Sequence, residues 1–214
     1  LYPLETRERL LDSAELLFAN KGIDNTSIRD IVQSAETNLA SVHYHFGNKT
    51  KLVFAVLERR ITPINQERLQ RLQETVQESR LDPDARLEAI LRAFIEPAVL
   101  VMSAEPKTKL FLLIMGQVHQ SPKVELKDML NALFQDVFNR FLSALCACRP
   151  KIPPGRVFMH FGFVVGAMIH SAMMMSRPLI FRPFASLTSP PDGKKIAEEL
   201  LEFALKGFAH EVED

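Results

Sequence analysis

Residues 26–49, TSIRDIVQSAETNLASVHYHFGNK, constrain the fold of this chain more than any other stretch. Thr26 or Ser27 is suited to cap a helix. Ile28, Ile31, Val32 and Ala35 then follow at three- and four-residue steps, the spacing of one apolar helical face. A polar break at Glu36 and Thr37 separates this run from a second helical one over residues 38–46, where Val42 and Phe46 lie one turn apart and dock inward. Leu39, Ser41, His43 and Tyr44 fall on the opposite side. Two short helices joined by a tight turn, the second presenting small, polar and aromatic side chains outward, form a helix-turn-helix that offers a recognition helix to the DNA major groove. Gly47 is placed to end that helix, and Lys49 follows where a phosphate would be met.

Charge supports this reading locally rather than globally. The chain carries 26 Lys and Arg against 26 Asp and Glu, whereas phosphate binding depends on an excess of cations. Residues 37–51 nevertheless contain no carboxylate and close on Lys49 and Lys51. A local basic patch is expected, not a basic protein.

The same residues resemble the DNA-binding domain of the TetR family of bacterial transcriptional regulators. The usual pattern there is T-(S/T)-x-R-x-I-A…A-G-V-S-x-G-(S/T)-(L/I)-Y-x-(H/Y)-F-x-(S/N)-K. Here it reads Thr26-Ser27-Ile28-Arg29-Asp30-Ile31-Val32, then Ala35, then residues 38–49, NLASVHYHFGNK, preceded by ERLLDSAELLFANKG. The likeness covers the first sixty or so residues. Glu36 stands where the family has Gly, Thr37 where it has an apolar residue, and His43 where it has Tyr. A non-Gly residue at a turn position that needs positive φ costs about 1 kcal/mol. Within this pattern Thr26, Ser27, Tyr44, His45 and Lys49 are expected to hold phosphates, and Leu39, Ala40, Ser41 and His43 to face base edges. Arg29 completes the DNA-contacting set.

Elsewhere the sequence reads as helix throughout. Residues 5–21 place Leu10, Leu11, Ala14, Leu17 and Phe18 on one stripe ended by Gly22. A fourth helix starts near Thr50, with a break or bend expected at Thr62-Pro63. A polar connecting helix over 64–80 follows. Asp82-Pro83-Asp84 starts another helix, which Pro97 is expected to kink before Met102. Apolar segments over 110–118 and 124–146 come next. Residues 157–175 carry no Asp, Glu, Lys or Arg and match the length of a bilayer span. His160 and His170 are costly in hydrocarbon and no aromatic pair anchors the ends, so the segment reads as the centre of a helical domain. Four prolines over 177–191 imply a loop, and a last helix is expected over 194–210.

Catalytic and metal chemistry find little footing. No Gly-rich phosphate loop, HExxH, CxxC or nucleophile elbow is present. His43 and His45 point to different sides of a helix, and His160 and His170 are separated by about 15 Å of helical rise, so no metal is expected. No cofactor is expected either. Cys146 and Cys148 are too close in a helix to pair and suit a reducing compartment. Without an apolar leader after the early charges, the chain reads as cytoplasmic.

The expected architecture is all-α: a three-helix DNA-binding domain over 1–48, and a helical ligand-binding and dimerisation domain over 49–214. Fifteen Phe and eight Met with no Trp describe an adaptable apolar interior. In similar regulators the later helices hold an apolar inducer pocket and the last two form a dimer interface. The resemblance therefore implies a repressor that binds double-stranded operator DNA as a homodimer and is released by a small molecule. Phe94, Met102, Phe111, Met115, Phe138 and Met168 are the expected pocket lining, with His119, Gln117 and His170 to fix the polar end of a lipophilic effector. The alternative is a helical sensor or enzyme that does not act on DNA.

Overall fold

A computed structural model describes residues 3–78, 80–104, 108–176 and 192–208, and the regular structure among them is helical throughout. The helices are α1 (Pro3–Lys21), α2 (Ile28–Ser34), α3 (Leu39–Phe46), α4 (Lys49–Gln77), α5 (Pro83–Ala104), α6 (Thr108–Gln120), α7 (Val124–Cys148), α8 (Pro154–Ser176) and α9 (Gly193–Phe208). Contacts divide the chain into two units, residues 1–63 with 106–134, and residues 64–105 with 135–214. This boundary lies later than the expected 48/49 division and returns α6 to the first unit. The reason is apolar packing: Leu52, Val53 and Val56 of α4 and Phe111, Ile114 and Val118 of α6 share one core with α1, α2 and α3.

In the first unit Leu10, Leu11, Ala14 and Phe18 of α1 meet Ile31 of α2 and Val42 and Phe46 of α3. Gly22, at φ +94°, ends α1 in a conformation that costs a glycine little. Two polar devices reinforce this core. Glu15 is buried on α1 and accepts from Arg59 (2.7 Å) and from Nε and Nη2 of Arg60 (2.8 and 2.9 Å) on α4. Gln117 of α6 donates to the Phe18 carbonyl (2.9 Å), which also accepts from the Gly22 N–H (3.1 Å), and accepts from the Ile23 N–H (2.7 Å), tying α6 to the end of α1.

The second unit is built around Leu87, Ile90, Leu91 and Phe94 of α5, packed with buried residues of α7, α8 and α9. Phe94 sits against Phe138, Phe141 and Phe161 at ring separations of 6.2, 5.1 and 4.8 Å. Asp192 caps α9 by accepting from the Lys195 N–H (2.7 Å). Arg92 of α5 fastens that helix through Glu198 (2.7 Å) while also meeting Glu88 and Glu96.

The break allowed for at Thr62-Pro63 is revised. α4 does not break at Thr62-Pro63: Pro63 is exposed inside a continuous helix, with Ile61 and Ile64 buried beside it. The helix continues because burial on either side offsets the hydrogen bond that proline removes. α5 likewise runs through Pro97 to Ala104. Among the described residues no helix is long and apolar enough to cross a membrane. The loop expected over 177–191 and the side chain of Met102 lie outside the described residues.

Candidate nucleic-acid interface and effector region

Ser27 starts α2 through a capping box. Its hydroxyl accepts from the Asp30 N–H (3.1 Å), and the Asp30 carboxylate accepts from the Ser27 N–H and hydroxyl, each at 2.8 Å. These bonds, the backbone N–H first, hold Asp30 below the usual carboxylate value. α2 ends in a Schellman turn: the Glu36 N–H reaches the Gln33 carbonyl (3.2 Å) and the Thr37 N–H the Val32 carbonyl (2.9 Å). Glu36 takes the left-handed position at φ +48°, where the family pattern has Gly. Arg9 of α1 braces that turn from behind by donating to the carbonyls of Ala35 and Glu36.

α3 opens on Asn38, whose Oδ1 accepts from the Ser41 N–H (2.9 Å) and hydroxyl (3.1 Å). Val42 and Phe46 face the core, and Gly47 closes the helix at φ +80°. The outward side carries Leu39 (46% exposed), Ala40, His43 and Tyr44 (82% exposed), with Ser41 half-buried beside them. Exposed Leu and Tyr side chains on a short helix gain nothing for the fold, so the outward face is free to meet a partner. His43 Nδ1 lies 2.9 Å from the Gly47 carbonyl. A carbonyl only accepts, so Nδ1 carries the hydrogen, and Nε2 of the neutral ring is the acceptor that remains.

Asn48 Oδ1 caps α4 by accepting from the Lys51 N–H (2.9 Å), and Lys49 and Lys51 occupy the first turn of α4. Burial pushes the Lys49 ammonium down, opposed by Asp24. Arg29 and Tyr44 are exposed, and His45 is half-buried with its ring edge-on to Tyr44 at 4.9 Å. Thr26 is the correction. It is 1% exposed and its hydroxyl donates to the Gly22 carbonyl (2.8 Å), with the Leu17 carbonyl at 3.2 Å, so its side chain braces the end of α1 and is not offered to a phosphate. The Ser27 hydroxyl is exposed but already engaged in the capping box.

The expected effector-binding residues divide between the units. Phe111, Met115 and His119 lie on α6 in the first, where Phe111 is buried in the core beside α1, Met115 packs against that core and His119 is exposed. Gln117 is spent on the backbone at the end of α1. Phe94, Phe138 and Met168 belong to the second unit and come together there, whereas His170 is exposed on α8. What joins Phe94 to Met168 is a residue absent from the expected set. Arg68 of α4, 2% exposed, donates from Nε to the Phe94 carbonyl (2.8 Å), from Nη1 to Asn65 (3.3 Å) and from Nη2 to the Met168 sulfur (3.4 Å). Its guanidinium lies over the Phe94 ring, 4.1 Å from the centroid.

Comparison with known proteins gives a consistent picture at both ends of the chain. A family model described as bacterial regulatory proteins, tetR family, matches residues 10–56. A second, described as tetracyclin repressor-like, C-terminal domain, matches residues 92–207. The HTH-type transcriptional regulator TtgR of Pseudomonas putida is 35% identical over 54 residues, which are 25% of this chain and 26% of that protein. The chain thus spans only about a quarter of the length of the curated relatives it matches. Whole-chain similarity is to solved structures. SmeT, described as the repressor of the Stenotrophomonas maltophilia multidrug efflux pump SmeDEF, superposes with a TM-score of 0.65 at 22% identity, covering 94% of this chain and 91% of that one. A structure of SmeT with triclosan is also known. The Bacillus subtilis regulator FadR, solved with stearoyl-CoA, gives a TM-score of 0.66 at 10% identity, covering 94% of this chain and 98% of the other. At these identities the shared property is the fold.

Proposed function

The chain belongs to the TetR family of bacterial regulatory proteins, and from that premise we propose that it is a cytoplasmic repressor that binds operator DNA as a homodimer and leaves it when a lipophilic small molecule binds the second unit. The observation that carries the reading is the outward face of α3. Leu39, Ala40, His43 and Tyr44 are exposed together on a helix held by Asn38, Gly47 and two buried residues. That is a recognition surface on a rigid support, with Lys49 and Lys51 beside it for phosphates. Base edges fall to Leu39, Ala40, Ser41 and His43, and phosphates to Arg29, Tyr44, His45, Lys49 and the exposed start of α2 at Ser27. An enzyme or sensor acting without DNA leaves this face with no use.

Dimerisation rests on a different observation. Phe158, Met159 and Phe163 (61% exposed) stand out from α8, and Phe203 from α9. Gly162 and Gly166 on the same helix are exposed, with no atom within 4 Å of where a Cβ would sit. Apolar rings beside small residues suit close approach of a second copy across a two-fold axis. Release from DNA requires the effector to favour a dimer with the wrong spacing between recognition helices, and a thousandfold loss of affinity needs about 4 kcal/mol of coupling. The proposal is tested by mobility shift of the full chain on promoter fragments, including one upstream of its own gene. A discrete shift on one fragment, lost on His43→Ala but present on unrelated DNA for neither protein, supports it. Equal binding of all fragments by both proteins refutes sequence reading by α3.

A further inference from the structure

We propose that Arg68 is the anion anchor of the effector site, and that the effector is a lipophilic carboxylate whose head pairs with this guanidinium and whose apolar body lies in the neighbouring cleft. The inference rests on the reading of the chain as an effector-responsive regulator and adds the charge and the anchoring residue.

Arginine is almost never fully buried without a carboxylate. Among the described residues none reaches Arg68. Its oxygen acceptors are a backbone carbonyl and an amide, its third partner is a thioether sulfur, and its remaining contact is the face of an aromatic ring. Sulfur is a weak acceptor, and a guanidinium has five N–H groups to place. Burial alone pushes Arg68 down to about 9, with no neighbouring charge acting on it, and at neutral pH it remains a cation. The fold has thus already met the cost of removing this charge from water. An incoming carboxylate finds a pre-oriented fork with which it forms charge-assisted hydrogen bonds. Met168 is the contact that gives way, being unbranched and soft.

Space for the rest of the molecule lies next to this point. A cleft of about 650 Å³ is lined by Leu69, Leu72, Ile90 and Ala144, with Arg86 and Arg140 among its polar residues. Leu72 is one turn along α4 from Arg68, Ile90 one turn along α5 from Phe94, and Ala144 one turn along α7 from Phe141. The lining also takes in Leu69, which follows Arg68 on α4, and Asn139 and Arg140, which lie between Phe138 and Phe141 on α7, so the cleft adjoins the layer that holds the buried cation and its aromatic neighbours, and a head group reaches Arg68 from it past Leu72 and Ile90. Its volume falls within the ordinary range for small-molecule sites. An acid head with an apolar body fits this sequence of surroundings, whereas a cationic head would meet Arg68 with like charge.

The test uses the full chain and matched probes: dodecanoate against dodecanamide, and 2-naphthoate against 2-naphthamide, with affinity measured by calorimetry and operator release measured in parallel. The acid of at least one pair is expected to bind about ten- to a hundredfold more tightly than its amide. Arg68→Met should erase that preference while leaving amide binding within about threefold. Arg86→Gln and Arg140→Gln should leave the preference in place. Equal binding of acid and amide in both pairs, no binding of either acid, or a preference that survives Arg68→Met and is lost with Arg86→Gln overturns the assignment. If Arg68→Met does not fold, the carboxyl carbon of labelled dodecanoate reports on the natural protein. An ionised carboxylate held well below its free pKa supports the pairing, and titration at or above the free value refutes it. A chain that binds its operator but shows no acid preference loses only this inference. A chain that binds no operator loses the regulator reading, whatever the acids do.

Discussion

Replacing Glu15 with alanine should destabilise the first unit by about 3 kcal/mol, the lower end of the range for breaking a buried ion pair. The magnitude follows from the geometry. Glu15 is 2% exposed and receives three nitrogen contacts between 2.7 and 2.9 Å, one from Arg59 and two from Arg60. Removing the carboxylate leaves two half-buried guanidinium groups facing a small cavity. Arg59 keeps Glu8 (3.1 Å) and Asp12 (2.9 Å), and both arginines retain partial access to water, so the upper end of the range is not reached. Urea unfolding of the full chain at fixed protein concentration and low salt should show an earlier transition for the first unit. Operator affinity should fall only near that transition, since Glu15 is not on the outward face of α3. Arg60→Met should recover part of the loss in the Glu15→Ala background by removing the stranded charge, giving a coupling of about 2 kcal/mol between the positions. A change under about 0.5 kcal/mol, or strict additivity of the two substitutions, would refute the claim that this ion cluster holds α4 to α1.

Glu36→Gly should stabilise the chain by up to about 1 kcal/mol in thermal unfolding, because it relieves the side-chain clash at φ +48° and loses only an exposed ion pair with Arg9. Lys49→Ala should weaken binding to all DNA sequences alike and flatten the dependence of affinity on salt, measured by anisotropy between about 50 and 200 mM salt. Phe163→Glu should shift the chain to monomer in sedimentation at micromolar concentration, by placing a charge on the exposed α8 face. Asp30 and Glu198 are held below the usual carboxylate value, Asp30 by Ser27 and Glu198 by Arg92. Their stabilisation is therefore whole at neutral pH and is lost as pH falls from about 4 through the lower folded values. Urea midpoints from pH 7 to pH 2.5 should show that loss, with a smaller share in Asp30→Asn.

Local signals carried the helix-turn-helix in the sequence because its determinants are close in the chain. Ser27 and Asn38 cap the helices they precede, Gly22 and Gly47 close the ones they follow, and Ile31, Val42 and Phe46 are buried as their spacing requires. Thr26 misled for the same reason: a threonine before a helix suggests a cap or a phosphate ligand, and only the fold turns its hydroxyl toward Gly22. Long-range polar pairings left no periodic trace. Nothing near Glu15 announces Arg59 and Arg60, nothing near Gln117 announces Ile23, and Arg68 reads as one more charge on a polar helix. The apolar richness of 110–118 suggested a pocket wall, yet α6 spends Phe111 on the core of the first unit. Helical periodicity reports which face is buried, not which core buries it.

The most direct measurement of the regulator reading is selection of DNA from a random pool by the full chain, followed by sequencing. Two inverted half-sites should be enriched, with centres about one DNA turn, roughly 34 Å, apart. Substitution at His43 should change bases within each half-site without changing their spacing. A pool that emerges unenriched, or a single half-site selected by a monomer, would contradict a dimer that reads DNA through α3.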